Sequence, residues 1–401
     1  MPTHPLIDPL SHEIAAWRRK LHSIPELSLR EHQTSAFVAD LCQGFGLEIT
    51  RIGSTGIVAT LAGNLGPGRN IGIRAELDAL PMTERRRLPY MSLHDGAMHA
   101  CGHDGHMAMV LGAAKALSSS RDFAGNIHFI FQPAEEAENG AAKMIADGLF
   151  DQCPCDEIYA LHNSTHPLGT VLVHRGVVAA SSDVLRIRIT GKGGHGASPH
   201  ECRNPLSAAA QIHLALERLP MRVSDCRVPV VVSVGAINGG TAGNIIPETA
   251  TMLGTVRTLD RDVRVAVETE IRKLVQAIAL AESVDIDLDY ENSYPVTQNS
   301  PEIADHVIAA AVSIFGKDTV IVDPEPELWS DDFGIMSNLR PGCYFQLGQL
   351  DENHGAYCHH PDYDFNDRLL AQGASLWVRL AEQRMQWSCR ENLELGGMRA
   401  G

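Results

Sequence analysis

Within nine residues, the run Met98-His99-Ala100-Cys101-Gly102-His103-Asp104-Gly105-His106 brings together a thiol, three imidazoles and a carboxylate. A thiolate at Cys101 and an imidazole at His103 both suit Zn2+ or a related transition metal, and neither suits Mg2+ or Ca2+. Gly102 between them lets the backbone fold so that both side chains reach one centre. Alone, such a pair is also what a buried cysteine beside a helix-starting histidine would give.

Other chemistry-bearing residues are scattered. Glu135-Glu136 follows an apolar run and Gln132-Pro133. Adjacent acids commonly open a solvated helix, where they complement its dipole. The alternative divides the labour, one carboxylate binding metal and its neighbour serving as a base whose pKa its surroundings tune. His162 closes an apolar strand, and His359-His360-Pro361 precedes Asp362-Tyr363-Asp364-Phe365. Spacing alone does not assemble ligand-type residues that lie this far apart.

The elements that must position them alternate. Trp17, Leu21 and Ile24, then Phe37, Val38 and Leu41, recur at helical spacing. Ile57 to Leu61, Asn70 to Asp78, Asn126 to Phe131 and Glu157 to Leu161 read as apolar strands, with a helix from Met107 to Leu117. This order predicts an α/β fold whose mostly parallel sheet is flanked by helices, with polar residues gathered just past the strand ends, where sites form in open sheets. Near residue 183 the pattern changes. Leu185, Ile187 and Ile189 alternate with Arg186, Arg188 and Thr190, as in a half-exposed antiparallel strand. Further strands at Val228 to Ile237, Glu248 to Thr258 and Val284 to Tyr290, with helices at Pro205 to Leu219 and Val263 to Ser283, complete a smaller α+β domain. The expected organisation is a metal-binding domain of residues 1–180 plus 294–401, interrupted by an inserted domain of residues 181–293.

Composition sets outer limits. With 44% hydrophobic and 20% charged residues, the 401-residue chain has an ordinary globular balance. A formal charge of -16 disfavours nucleic acid, whose phosphates need clustered Lys and Arg. No apolar run is long enough to span a bilayer. The first 20 residues lack the apolar core of a secretory signal, and nine cysteines follow no disulfide framework. The expectation is a cytoplasmic protein with neither nucleic-acid nor membrane partners.

Several blocks in fixed order resemble the M20 metallopeptidase and amidohydrolase family, in particular the branch with hippurate hydrolase and the indole-acetyl-amino-acid hydrolases. They are Trp17 to Leu27, Met98 to Gly112, Gln132 to Glu136, Gly193 to His200, Gly243 to Glu248, Pro341 to Phe345 and Tyr363 to Asp367. The resemblance implies two divalent metals per subunit, Zn2+ or Mn2+, with Co2+ or Ni2+ as substitutes. It implies ligands at Cys101, which bridges the two, and at His103, Glu136, His162 and His359, with His360 in reserve. It makes Glu135 the general base and Asp78 an acid that orients a ligand. It gives the inserted domain a lid or dimerisation role, in a homodimer or homotetramer, with His195 reaching a partner's site to steady the oxyanion. Asn244 and Arg257 would hold substrate, Arg257 at the α-carboxylate.

The implied reaction is cleavage of an N-acyl amino acid, aroyl or acetyl, to a carboxylic acid and a free amino acid. The neighbouring alternatives are a carboxypeptidase or dipeptidase, an N-acetyl-diaminopimelate deacetylase, and a non-catalytic metal-dependent binding protein. A thiol hydrolase with Cys101 as nucleophile and His103 as base is a further rival. Three departures stand out. Glu76 replaces the usual Asp of Arg-Ala-Asp, Asp331 replaces the usual Glu before Asp-Phe, and Cys358 stands where Leu is usual before His359. The run Arg85-Arg86-Arg87 is also atypical and reads as a solvated loop.

Overall fold

Two side-chain periodicities, one near 3.6 and one of 2, run through the chain, and the structure separates them into two compact units. A computed structural model describes residues 2–225 and 227–385. The first unit comprises Met1–Gly176, Gln298–Glu325 and Ile335–Gly401, and the second Val177–Thr297 and Pro326–Gly334.

The first unit is built on an eight-stranded sheet. From one edge its strands are Glu48–Arg51, Ile57–Ala62, Asn126–Gln132, Asn70–Glu76, Glu157–Pro167, Gly342–Leu350, Val171–Val173 and Val320–Val322. The four central strands run parallel, and antiparallel pairs lie toward both edges. Asn70–Glu76 and Asn126–Gln132 are buried along all but their first residue, which explains their unbroken apolar reading. The helix His103–Ser118 buries fourteen of its sixteen residues and packs against the helices Ser11–Ser23 and Leu370–Arg384. Each fully buried Leu, Ile or Phe in this core contributes about 1.5–3 kcal/mol.

Two elements extend beyond their expected bounds, and both shifts matter for the site. The helix begins at His103 rather than Met107, after Gly102 takes a left-handed φ of +104° as its N-cap. The strand expected to end at Leu161 continues to Pro167, because Gln346, Leu347 and Gly348 pair with His162, Asn163 and Ser164. His162 therefore sits within a strand and is held by a ladder.

The second unit is a four-stranded antiparallel sheet ordered Val230–Gly239, Thr249–Thr258, Ser182–Thr190 and Asp285–Tyr294. The helices Pro205–Arg218 and Arg261–Glu282 cover one face. Leu185, Ile187 and Ile189 are buried, whereas Arg186 and Arg188 are exposed, as their alternation requires. Asp260 caps the longer helix by accepting from the Asp262 and Val263 amides. Residues 326–334 were expected with the first domain. They join the second unit because the Ala180 amide donates to the Glu327 and Trp329 carbonyls and the Glu327 amide donates to Val178. No helix among the described residues is long and apolar enough to cross a membrane.

Candidate metal centre

Gly102 shows why the local sequence is what it is. A Cβ there would lie 2.1 Å from Asn163 Oδ1 and 2.7 Å from the Tyr363 hydroxyl, on a backbone that side-chain-bearing residues rarely adopt. Only glycine lets the chain turn between Cys101 and His103 against Asn163 of the Glu157–Pro167 strand. His359 and Ala134 also have positive φ, +62° and +55°. Such non-glycine strain costs on the order of 1–3 kcal/mol, and the surrounding packing must hold it.

These turns bring six predicted residues into one cluster. Potential ligand atoms of Cys101, His103 and His162 lie within 4.8 Å of one another, as do those of Cys101, Glu136 and His359. Cys101 belongs to both groups. His103, Glu135 and Glu136 form a third. His162 Nε2 is 3.4 Å from Cys101 Sγ, and His359 Nε2 is 3.2 Å from Glu136 Oε1. His360 points elsewhere, with Nδ1 3.8 Å from Asp362.

Two of the ligand-type imidazoles are oriented from behind. His103 Nδ1 donates to the Asp78 carbonyl at 2.8 Å, and His162 Nδ1 donates to the Asn163 carbonyl at 2.7 Å. Nε2 of each ring is left for the cluster. Asp78 acts through two groups, because its carboxylate also accepts from the Glu136 amide at 3.0 Å and from Ser28 at 2.8 Å. It thus fixes His103 and Glu136 together.

A cation fits this arrangement on two observations. His103 Nε2 is buried without a hydrogen-bond partner, 4.0 Å from Glu135 and 3.9 Å from Glu136. Burial pulls the His103 pKa down, yet the Asp78 hydrogen bond and the charges of Glu76, Asp78 and Glu136 push it up to about 10. A field that favours protonated imidazole so strongly favours any cation. His162, lowered to about 3 by burial and the neighbouring His106, is neutral, the form that ligates metal. The Cys358 thiol, burial and the two glutamates hold the Cys101 pKa well above the usual thiol range, and a bound cation reverses that balance. A thiol, three imidazoles and a carboxylate are a donor set for Zn2+ and related metals. The imidazole in hydrogen-bond contact with Cys101 Sγ is that of His162 rather than the His103 ring that a Cys101–His103 nucleophile pair would use.

Sequence reading assigned no role to several supporting residues. His106 Nδ1 lies 2.8 Å from Glu76 and Nε2 2.8 Å from Asn163 Oδ1, while Glu76 also pairs with Arg74. This buried chain ends one residue from His162. Arg18, fully buried, binds Asp104 at 2.8 Å and Asp364 at 2.7 Å. It ties the segment after His103 to the one after His359. Arg85 is exposed and pairs with Asp362, as a solvated loop residue would.

His195, Asn244 and Arg257 lie in the second unit. His195 pairs with Ile245 in a short ladder, and its Nδ1 accepts the Ala197 amide at 3.0 Å. A neutral ring so bonded carries its proton on Nε2. Asn244 is exposed, and its carbonyl accepts the Gly196 amide at 2.8 Å. Arg257 bonds Ser330 at 3.1 Å and the Leu328 carbonyl at 3.3 Å, and has no carboxylate partner among the described residues.

The fold and this cluster define a metallo-amidohydrolase. Residues 72–383 match the description Peptidase family M20/M25/M40. The chain belongs to that family. It is 38% identical over 382 residues to hippurate hydrolase of Campylobacter jejuni, covering 94% of this chain and 98% of that protein. It is 38% identical to thermostable carboxypeptidase 2 of Saccharolobus solfataricus, covering 92% of this chain and 95% of that one. Among solved structures, the YXEP protein of Bacillus subtilis, described as a dinuclear metal binding peptidase of the M20 family, superposes with a TM-score of 0.79. The identity is 31%, over 93% of this chain and 98% of that one.

Proposed function

We propose that the chain hydrolyses the amide bond of N-acyl amino acids, with an aroyl or acetyl group on the acyl side, at a centre of two divalent metals. The observation that carries this is the membership of Cys101 in both ligand groups, one completed by His103 and His162 and the other by Glu136 and His359. A shared thiolate is what two adjacent sites need. Zn2+ or Mn2+ suits the donors, with Co2+ or Ni2+ as substitutes. Bound there, the metals supply Lewis-acid polarisation of the amide carbonyl and a lowered pKa for water.

The chain's own residues do the rest. Glu135, 7% exposed and beside His103, takes the proton of the attacking water and delivers it to the departing amine. Asp78 keeps His103 and the Glu136 backbone in place. His195, contributed by a partner subunit, donates Nε2–H to the developing oxyanion. Arg257, half-buried and lacking an acidic partner, receives the substrate α-carboxylate, and the exposed Asn244 also holds substrate. The cysteines among the described residues are all unpaired, which supports a reducing, cytoplasmic setting.

A panel of N-benzoyl, N-acetyl and N-indoleacetyl amino acids, assayed with defined metal, tests this reading. Hydrolysis is expected for free acids in preference to their methyl esters. No hydrolysis across the panel by metal-loaded protein would overturn it.

A further inference from the structure

Seven cysteines lie among the described residues. Cys42, Cys153, Cys155 and Cys343 are buried, and Cys202 belongs to the second unit. The remaining two, Cys101 and Cys358, are partly exposed, and the Cys358 thiol reaches the Cys101 backbone. Cys101 is a proposed ligand, whereas Cys358 occupies a position that needs no sulfur for the hydrolytic chemistry.

Three contacts hold the pair in register. The His359 amide donates to the Ala100 carbonyl at 2.8 Å, so the segments carrying the two cysteines run side by side. The Cys358 thiol lies 3.6 Å from the Cys101 carbonyl, and Asn163 Nδ2 donates to Cys358 Sγ at 3.4 Å. Asn163 thereby turns the Cys358 sulfur toward Cys101. It also accepts at Oδ1 from His106, so its own amide is not free to flip.

We propose that Cys101 and Cys358 form a reversible disulfide under hydrogen peroxide, a modification site inside the metal centre that withdraws Cys101 from the metals. The disulfide stands on the two thiols alone; the loss of metal rests on the ligand role proposed above for Cys101. The Cys101 sulfur attacks one peroxide oxygen, giving a sulfenic acid and one water. The Cys358 sulfur then attacks the sulfenic sulfur. The S–S bond forms as hydroxide leaves and combines with the Cys358 proton as a second water. In sum, two thiols and one peroxide give one disulfide and two waters, the thiols losing the two electrons that the peroxide gains. A resolving thiol in contact intercepts the sulfenic acid before it proceeds to the irreversible sulfinic form.

The full-length, metal-loaded protein is titrated with hydrogen peroxide. Released metal is followed with a colorimetric chelator, and unreduced peptides are mapped by mass spectrometry. The expected result is a Cys101–Cys358 cross-linked peptide that appears in step with metal release, both reversed by dithiothreitol and added metal. In Cys358→Leu the cross-link is absent and Cys101 advances to sulfinic acid, which dithiothreitol does not restore. Wild-type protein whose Cys101 is found intact or as sulfinic acid, with no cross-link, overturns the proposal. This map decides the matter even if the variant fails to fold. A cross-link with all metal retained leaves the disulfide standing and removes Cys101 from the ligand set.

Discussion

Cys101, His103, Glu135, Glu136, His162 and His359 converge from four separate segments, and their chemistry depends on which atom of each faces inward. Residue type and local spacing alone left Cys101 and His103 a weak signal, which became legible only when Glu135-Glu136, His162 and His359 followed in the order the resemblance requires. Of the residues that aim them, Asp78 was legible through the resemblance and the others were not. Asn163 acts through its backbone carbonyl, which carries no mark of residue type, and His106 meets Glu76 only once strand and helix are assembled. At this scale the account makes a sharp demand on Glu135. Replacing it with Gln keeps the size and removes the base, and it leaves the two ligand triads around Cys101 intact. Glu135→Gln protein should bind metal like wild type by elemental analysis while kcat falls about 10²–10⁴-fold, the usual contribution of a positioned base. Wild-type kcat in the metal-loaded variant would show that another group moves the proton.

Elements carry the site through register and burial. The strand Glu157–Pro167 presents His162 midway along its length, and at its start Glu157 anchors it to the last turn of the helix Leu370–Arg384. Arg384 binds the Glu157 carboxylate through Nε at 2.8 Å and Nη2 at 2.9 Å, and Arg69 adds a third contact at 2.9 Å. Burial alone would raise the Glu157 pKa, but the Arg384 hydrogen bonds and charge, with Tyr159 and Arg69, hold it below the usual carboxylate range. A depressed folded-state pKa contributes stability that is present above the unfolded value of about 4.3 and lost as pH falls through the lower folded value. Glu157→Gln should therefore lower stability by about 3 kcal/mol at neutral pH, as for other broken buried pairs. The gap to wild type should close below about pH 4 as the wild-type carboxylate protonates. Denaturant unfolding at pH 7 and in acid measures this, and a gap of equal size at both would contradict it. Strand and helix identities followed from periodicity, whereas the extension of this strand past Leu161 did not, because pairing with residues nearly two hundred positions away decides it.

At the scale of the whole molecule, the metal-ligand candidates all fall in the first unit and the substrate-holding candidates His195, Asn244 and Arg257 in the second. The switch from buried parallel strands to half-exposed antiparallel ones announced the second unit in the sequence. The attachment of residues 326–334 to it was hidden, because backbone bonds to Val178 and Ala180 make that connection. If His195 serves a partner's site, a His195→Ala chain and a Glu135→Gln chain, each inactive alone, should recover activity in verified mixed dimers, since one site then holds both functional groups. Removing one oxyanion donor typically costs about 2.7–4 kcal/mol, so the recovery should exceed either parent about 100-fold. Mixed dimers no better than the parents would exclude the arrangement. The central claim, a hydrolytic centre that needs two ions sharing Cys101, is tested most directly by metal titration. Chelator-stripped protein is assayed on N-benzoylglycine as Zn2+ or Mn2+ is returned and bound metal is counted. The account predicts no turnover without metal and full rate only when two ions are bound per chain. Wild-type turnover by metal-free protein would contradict it.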